Sequence, residues 1–441
     1  MRAALAFAFL ATPALAQPER IEAIWAEPGM LRNPVAICFD AHANLYVAET
    51  DRAGNAVQDT RNITHLNAVE EDLRLNSVED RLALINKWLD NGAFDPDYFT
   101  RTEDRVRRLA DTDGDGVADQ SVVYAGGFND PLDGIAAGVL WLDDALYFTN
   151  IPNLWRLTDE DNDGVADSRE SLSYGYGVRW CFYGHDLHGL TLGPDGRIYF
   201  SIGDRGFNVT TQEGNHLVGP QTGGVFRCWP DGSDLELFYQ GLRNPQELAF
   251  DRYGNLFTGD NNCDSGDKAR IHHIVEGGDS GWRQDVQSLD SRGPWNREHI
   301  WELVTDYPIT DPARPAWTIP PVAHVGAGPS GFTYYPGVGE SHDLDDHMIM
   351  VDFYGSGSTL HSFKMEPAGA WFTLTDLAEY YKGKTVTDIA WGPDGRLYLS
   401  DWGGGWEPNE NGHVFTITNK TVHDDPAEAA AIAEVGAIIK T

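Results

Sequence analysis

Two acidic runs and one pair of histidines hold the residues of this sequence best placed to do chemistry. "DTDGDGVAD" (111–119) and "DEDNDGVAD" (159–167) are near copies. Carboxylates at positions 1, 3 and 5, a glycine at 6 and an aspartate at 9 wrap a loop around a hard cation, and the position-7 carbonyl adds a ligand. The second run has Glu170 at position 12 and completes the pattern D-x-D-x-D-G-x5-E. The first has Val122 there and lacks that ligand. The predicted calcium ligands are Asp111, Asp113, Asp115, Val117 and Asp119 in one loop. In the other they are Asp159, Asp161, Asp163, Val165, Asp167 and Glu170. Without a cation, so many carboxylates repel one another. Each run follows an Arg-Leu strand end, so both are strand-to-strand turns with a structural role.

His185 and His188 precede the strand of "YGHDLHGLTLGPDGRIYFSIGDRGFN" (183–208). On a loop at the mouth of a cleft, a neutral imidazole can take an alcohol or hemiacetal proton; two structural histidines are the plain alternative. Asp204 and Arg205, at the far end of the same strand, are expected near the same place. "GLRNPQELAFDRYGNLFTGDNN" (241–262) sets Arg243, Asn244 and Gln246 about Pro245. That group reads either as a turn paired to a carboxylate or as a grip on an anionic ligand, a guanidinium fork flanked by amides.

The elements that position these residues repeat. A run of apolar residues, a turn rich in Pro, Asp or Gly, and a strand ending in an acid or amide occur at 36–49, 138–150, 190–204, 248–260, 331–352 and 389–401. Asp-Gly and Tyr-Gly turns between alternating strands are hairpin signals, and a period of roughly 50 residues is that of propeller blades. The expected fold is therefore all-β, a six-bladed β-propeller over residues 17–420. Glu49, Asn150, Asp204, Asp260, Asp352 and Asp401 would end strands on one side, near a central channel where ligands bind. A helical insert is expected at about 55–108: Ser77 and Asp80 form a capping box, Val78, Leu82, Ile85 and Leu89 follow at helical spacing, and Gly92 stops the helix. Residues 421–441 read as a helical C-terminal tail.

Residues 1–16, with Arg2, an apolar stretch and Ala14-Leu15-Ala16, have the layout of a cleaved secretory signal. They predict a periplasmic or secreted protein, and no later apolar run is long enough to span a membrane. A net charge of −36 argues against nucleic acid, whose phosphates need Lys and Arg. It suits divalent cations or simple solubility. The 4 cysteines form no CxxC or CxxCH, so neither a zinc cluster nor an attached haem is expected, whereas one or two disulfides are open. Nucleotide and nucleophile-elbow fingerprints are absent.

Together "HDLHGLTLGPDGRIYFSIGDRG", "GLRNPQELAFDRYGNLFTGDNN", "EGGDSGWR" and "GPSGFTYYPG" resemble the glucose/sorbosone dehydrogenase-like six-bladed propellers, many of which use pyrroloquinoline quinone (PQQ). The resemblance covers about residues 20–420. It is nearest the branch whose propeller is followed by helical HEAT repeats and a cytochrome c domain in exported proteins. It implies that His185 is the catalytic base, with His188 the second choice. It implies that Arg243, Asn244 and Gln246, with Asp204 and Arg205, contact the quinone, and that the backbone at Asn262 and Cys263 holds a calcium that polarises it. The substrate would be a small sugar, sugar aldehyde or alcohol, and the electron acceptor a separate cytochrome c. One departure stands out. A lysine and two arginines that grip the quinone in such enzymes are replaced near Tyr354, Thr385 and Thr387, and Lys382 or Lys384 would have to compensate. Two other readings remain: a non-catalytic propeller that binds a glycan or partner protein, and a calcium-dependent lactonase-like hydrolase.

Overall fold

The computed structural model describes residues 20–60, 63–180, 182–262, 267–284 and 319–439. The expected signal segment, Cys181 and Cys263 lie outside them. Six sheets, each built on four antiparallel strands, are arranged as blades. The innermost strands are Pro34–Phe39, Val139–Leu142, Leu187–Leu192, Pro245–Phe250, Pro329–Tyr334 and Val386–Trp391. Each touches the next, and the last touches the first, so the ring is closed. Closure is made by the N-terminal strand Arg20–Ala26, which pairs with His413–Asn419 as the outermost strand of the sixth blade. The fold is the six-bladed propeller that the repeat predicts.

Local chemistry explains the repeat. In "GPDGRIY" and "GPDGRLY" the turn glycines Gly196 and Gly395 have φ of +79° and +74°, which L side chains rarely adopt. The tyrosines that follow, Tyr199 and Tyr398, donate back to Asp195 and Asp394 at 3.0 and 2.9 Å, tying each turn to its strand. Alternate residues of neighbouring sheets then interdigitate. Leu154, Ile198, Phe200 and Phe226 fill the seam between the second and third blades, and Tyr46, Tyr124, Val139 and Phe148 the seam before it. Burial at roughly 25 cal/mol per Å2 of apolar surface makes these seams the main stabilising term. Cys38 and Cys228 carry free thiols.

The insert between the strands Leu45–Glu49 and Asp104–Ala110 is helical at Ala68–Asp72 and Val78–Asp90. Ser77 and Asp80 form the reciprocal cap. Val78, Leu84, Ile85 and Trp88 pack on Leu132, Val178 and Trp180 of the propeller, with Leu82 and Leu89 at the margin. The returning strand starts at Asp104, before the expected end of the insert, and buries Val106 and Leu109 in the cores on its two sides. At the C-terminus, Pro426–Ile439 is helical and sets Ile432 beside Gly395. No helix among the described residues is long and apolar enough to cross a membrane.

Candidate active site

In every blade the second strand ends on the same side as the first strand begins. There Glu49, Asn150, Asp204, Asp260, Asp352 and Asp401 are all buried. Several of them staple connections to the strand ends, whereas the Asn150 side-chain amide makes no hydrogen bond among the described residues. Asp260 accepts the backbone N–H groups of Arg243 and Asn244 at 3.0 and 2.7 Å, and Asp352 those of Ala327 and Gly328 at 2.9 and 2.8 Å. On this side a cavity of about 410 Å3 opens on the axis, and His185, His188, Arg243, Asn244, Gln246 and Asn262 all line it. Sequence positions more than 70 residues apart thus converge on one site.

His185 Nδ1 lies 2.7 Å from Asp204 Oδ1, and both side chains are buried. Asp204 also accepts Trp282 Nε1–H at 2.9 Å. Burial pushes the Asp204 carboxyl up, but His185, Arg243 and Trp282 together hold it below the usual carboxylate range. An ionised Asp204 fixes the tautomer with Nδ1–H toward the carboxylate and leaves Nε2 as a proton acceptor. His188 instead bonds Gly184 O through Nε2 at 2.9 Å, and burial pulls its pKa down, so it is a neutral ring held by the backbone. Of the two, His185 has the geometry of a base.

The resemblance assigns Asp204 and Arg205 to the cofactor, yet neither lines the cavity. Asp204 is occupied by His185 and Trp282 behind the wall. Arg205 donates to Asp186 at 2.6 Å and to Arg179 O at 3.1 Å. Asn262 is on the wall, its N–H accepted by Ala327 O at 3.3 Å and its side chain donating to Asp267 O at 3.1 Å. Cys263 lies outside the described residues. Lys384 does not compensate for a missing basic grip: it pairs with Glu22 at 2.8 Å and sits over Phe415. Arg243 is the one Lys or Arg among the described residues lining the cavity, and Tyr354 and Thr387 are on its wall.

Sequence reasoning missed several wall residues. Asp59, 3% exposed, comes from the insert and is the one carboxylate on the described wall. Ser330 and Trp402 line it too, and Ser330 Oγ, Trp402 Nε1 and Asn244 Oδ1 are buried with no protein partner. Ser330 was within reach, since it lies in the quoted stretch "GPSGF". Asp59 had no local signal.

The two aspartate loops are on the opposite face, between the third and fourth strands of the first and second blades. Oxygens of Asp111, Asp113 and Asp115 lie within 4.8 Å of one another, as do those of Asp159, Asp161 and Asp167. Gly116 and Gly164 have φ of +90° and +89° and let the loops turn in. Val117 and Val165 expose their side chains, so only their carbonyls would serve. The loop carboxylates also accept hydrogen bonds within their own loops, Asp115 from Val117 N–H at 2.9 Å among them. Asp119 binds Thr112 through N–H and hydroxyl at 3.0 and 2.6 Å, and Asp163 accepts Val165 N–H at 2.8 Å. Glu170 is drawn into the strand Ser168–Tyr174, 3.7 Å from Arg156, because strand pairing sets it opposite that arginine.

The propeller is shared with solved enzymes. A putative glucose dehydrogenase from Thermus thermophilus superposes with TM-score 0.53 at 17% identity, over 90% of this chain and 99% of that one. The PQQ-bound aldose sugar dehydrogenase of Streptomyces coelicolor gives 0.51 at 15%, over 91% and 99%. At such identity the likeness establishes the fold. In sequence, quinoprotein glucose dehydrogenase B of Acinetobacter calcoaceticus is 32% identical over 135 residues, which cover 25% of this chain and 28% of that protein. That match spans little more than a quarter of the relative's length. Residues 14–403 match the family described as a domain of unknown function, DUF7133, and the chain belongs to that family.

Proposed function

We propose that this chain is an exported, calcium-containing quinoprotein-type dehydrogenase that oxidises a sugar, sugar aldehyde or alcohol. The observation that carries this reading is His185, oriented by Asp204 at 2.7 Å, on one cavity wall with Arg243 and Asn244. Nε2 of His185 takes the substrate hydroxyl proton, which general-base catalysis rewards by about 10²–10⁴-fold. Asp204 stabilises the imidazolium that results, and burial of both groups strengthens their attraction.

The donor set fits a flat, oxygen-rich cofactor such as PQQ. Ser330 Oγ, Trp402 Nε1 and Asn244 Oδ1 are buried polar atoms that need partners, and Arg243 adds a cation. When bound, the quinone supplies the two-electron acceptor. Arg243 would hold one carboxylate, and the amides of Gln246 and Asn262 with the Ser330 hydroxyl would hold the rest. With one cation among the described lining residues in place of several, each charged hydrogen bond being worth about 1.5–3 kcal/mol, the hold is weaker than a basic cluster would give. The proposed electron acceptor is a separate cytochrome c. Calcium fits the loops at Asp111 and Asp159, whose position opposite the cavity makes their role structural.

A glycan- or partner-binding propeller without turnover is the second reading, and the single cation on the described wall favours it. A lactonase-like hydrolase is disfavoured, because such chemistry gathers several carboxylates on a central metal and Asp59 is the one carboxylate among the described lining residues. The test is dye reduction by protein reconstituted with PQQ and calcium, against a panel of aldoses and alcohols. Turnover that His185→Ala abolishes supports the dehydrogenase; binding of quinone or glycan without turnover supports the second reading.

A further inference from the structure

The residues on either side of His185 are pinned, and the pins lead to the helical insert. The Asp186 carboxylate accepts Gly184 N–H at 3.1 Å and Arg205 Nη1–H at 2.6 Å, while its carbonyl accepts Gly203 N–H at 3.1 Å. Asp204 and Arg205, adjacent in sequence, thus hold the His185 ring and the Asp186 carboxylate in parallel. Arg205 also donates to Arg179 O at 3.1 Å. Arg179 in turn donates to the backbone carbonyl of Asp72, and the Asp72 carboxylate accepts Trp180 N–H. Asp72 belongs to the insert and is 1% exposed.

A second contact ties the insert to the propeller. Arg81, on the insert's helix, is 2% exposed and donates to Leu132 O at 2.8 Å. Burial and the neighbouring Arg205 pull its pKa down to about 9. Around the charges, Trp180 meets Trp88 and Phe99 of the insert edge-on at 4.9 and 5.5 Å. Packing alone would need none of these charges. A buried ion pair contributes little net stability but strongly fixes geometry when every member is satisfied.

We propose that Asp186 is a positioning residue for His185, and that the insert fixes Asp186 through Asp72 by way of Arg179 and Arg205. The insert is then part of the active site and not only a cover for the blade. This rests on His185 being the base of the proposed reaction, but its structural half is measurable without turnover.

The test uses the full chain with 15N-labelled histidine, the His185 signal being assigned by its loss in His185→Gln. In the parent protein that ring should show one tautomer, protonated at Nδ1. Asp72→Ala and Arg205→Met should each convert it to a mixture. Each should lower kcat about 10- to 100-fold, as misplacement of a reacting group by about 1 Å does, with KM changed far less. Arg205→Lys keeps the charge for Asp186 and should restore most of both; it also carries the test if Arg205→Met does not fold. A lowered melting temperature with the His185 signal and kcat unchanged would overturn the proposal and leave the network as scaffolding. If the parent shows no turnover, the tautomer alone decides, so failure of the dehydrogenase reading and failure of this one are told apart.

Discussion

Asp204→Asn is nearly isosteric and tests the base directly. The carboxylate accepts two bonds in a fully buried setting, from His185 at 2.7 Å and Trp282 at 2.9 Å, with Arg243 close enough to lower its pKa. Asparagine can accept one of them well. Its amide can equally donate to His185 Nδ1, and the ring proton then moves to Nε2, where it blocks proton abstraction. Loss of the general base predicts a fall in kcat of about 10²–10⁴-fold. The stability cost is smaller, about 1–3 kcal/mol for weakening hydrogen bonds to a charged group. The folded carboxyl is depressed, so its stabilisation is present above the unfolded value of about 3.9 and is lost as pH falls through the folded one. The variant should therefore lose stability near neutral pH and converge on the parent in strong acid. Steady-state dye reduction and thermal melts from pH 3 to about 8 read both effects. A variant that keeps kcat within about threefold, against the 10²–10⁴ expected, would refute His185 as the base.

Other consequences follow from the same geometry. Arg243→Ala should weaken quinone binding about 10- to 150-fold, from 1.5–3 kcal/mol, as read by titrating the cofactor spectrum. Chelation should lower the melting temperature, and Asp111→Ala or Asp159→Ala should each remove one calcium from the bound count while kcat at saturating quinone stays unchanged. A second cavity of about 400 Å3 further down the axis holds Glu247 and Asp388, with no Lys, Arg or His among its described lining residues. Burial pushes both carboxyls up, and Asp388 raises Glu247 further. Raised carboxyls give stability that is full below the unfolded value and is lost as pH rises through the folded one. Glu247→Gln should thus raise the melting temperature at pH 8 and leave it unchanged at pH 4.

The blades were legible because their signals are local. Each turn needs its Pro-Asp-Gly chemistry, and each strand needs alternation with a terminal acid or amide, as in "LTLGPDGRIYFSIGD". The candidate site was legible in part. His185, Arg243, Asn244 and Gln246 sit at the starts of inner strands or just before them, and a propeller brings all such positions to its axis. Direction was not legible. Asp204 turns toward His185 and Arg205 away from the cavity, although the two are adjacent in the chain. Gln246 lines the upper cavity and Glu247 the lower, where the pairing of their strand is irregular. Asp59 reaches the wall through the fold of the insert, and Trp282 reaches Asp204 across 78 residues. Glu170 fitted the loop pattern, but strand pairing with Arg156 takes it elsewhere.

The central claim is that the axial cavity takes a quinone beside a working base. The most direct measurement is titration of the metal-stripped chain with PQQ in the presence of calcium, following the cofactor spectrum in the parent and in Arg243→Ala. The account predicts saturable binding of one quinone per chain, weakened by the substitution. No binding at high-micromolar quinone, while calcium still raises the melting temperature, would contradict it and leave a calcium-stabilised propeller whose Arg243 serves only the fold.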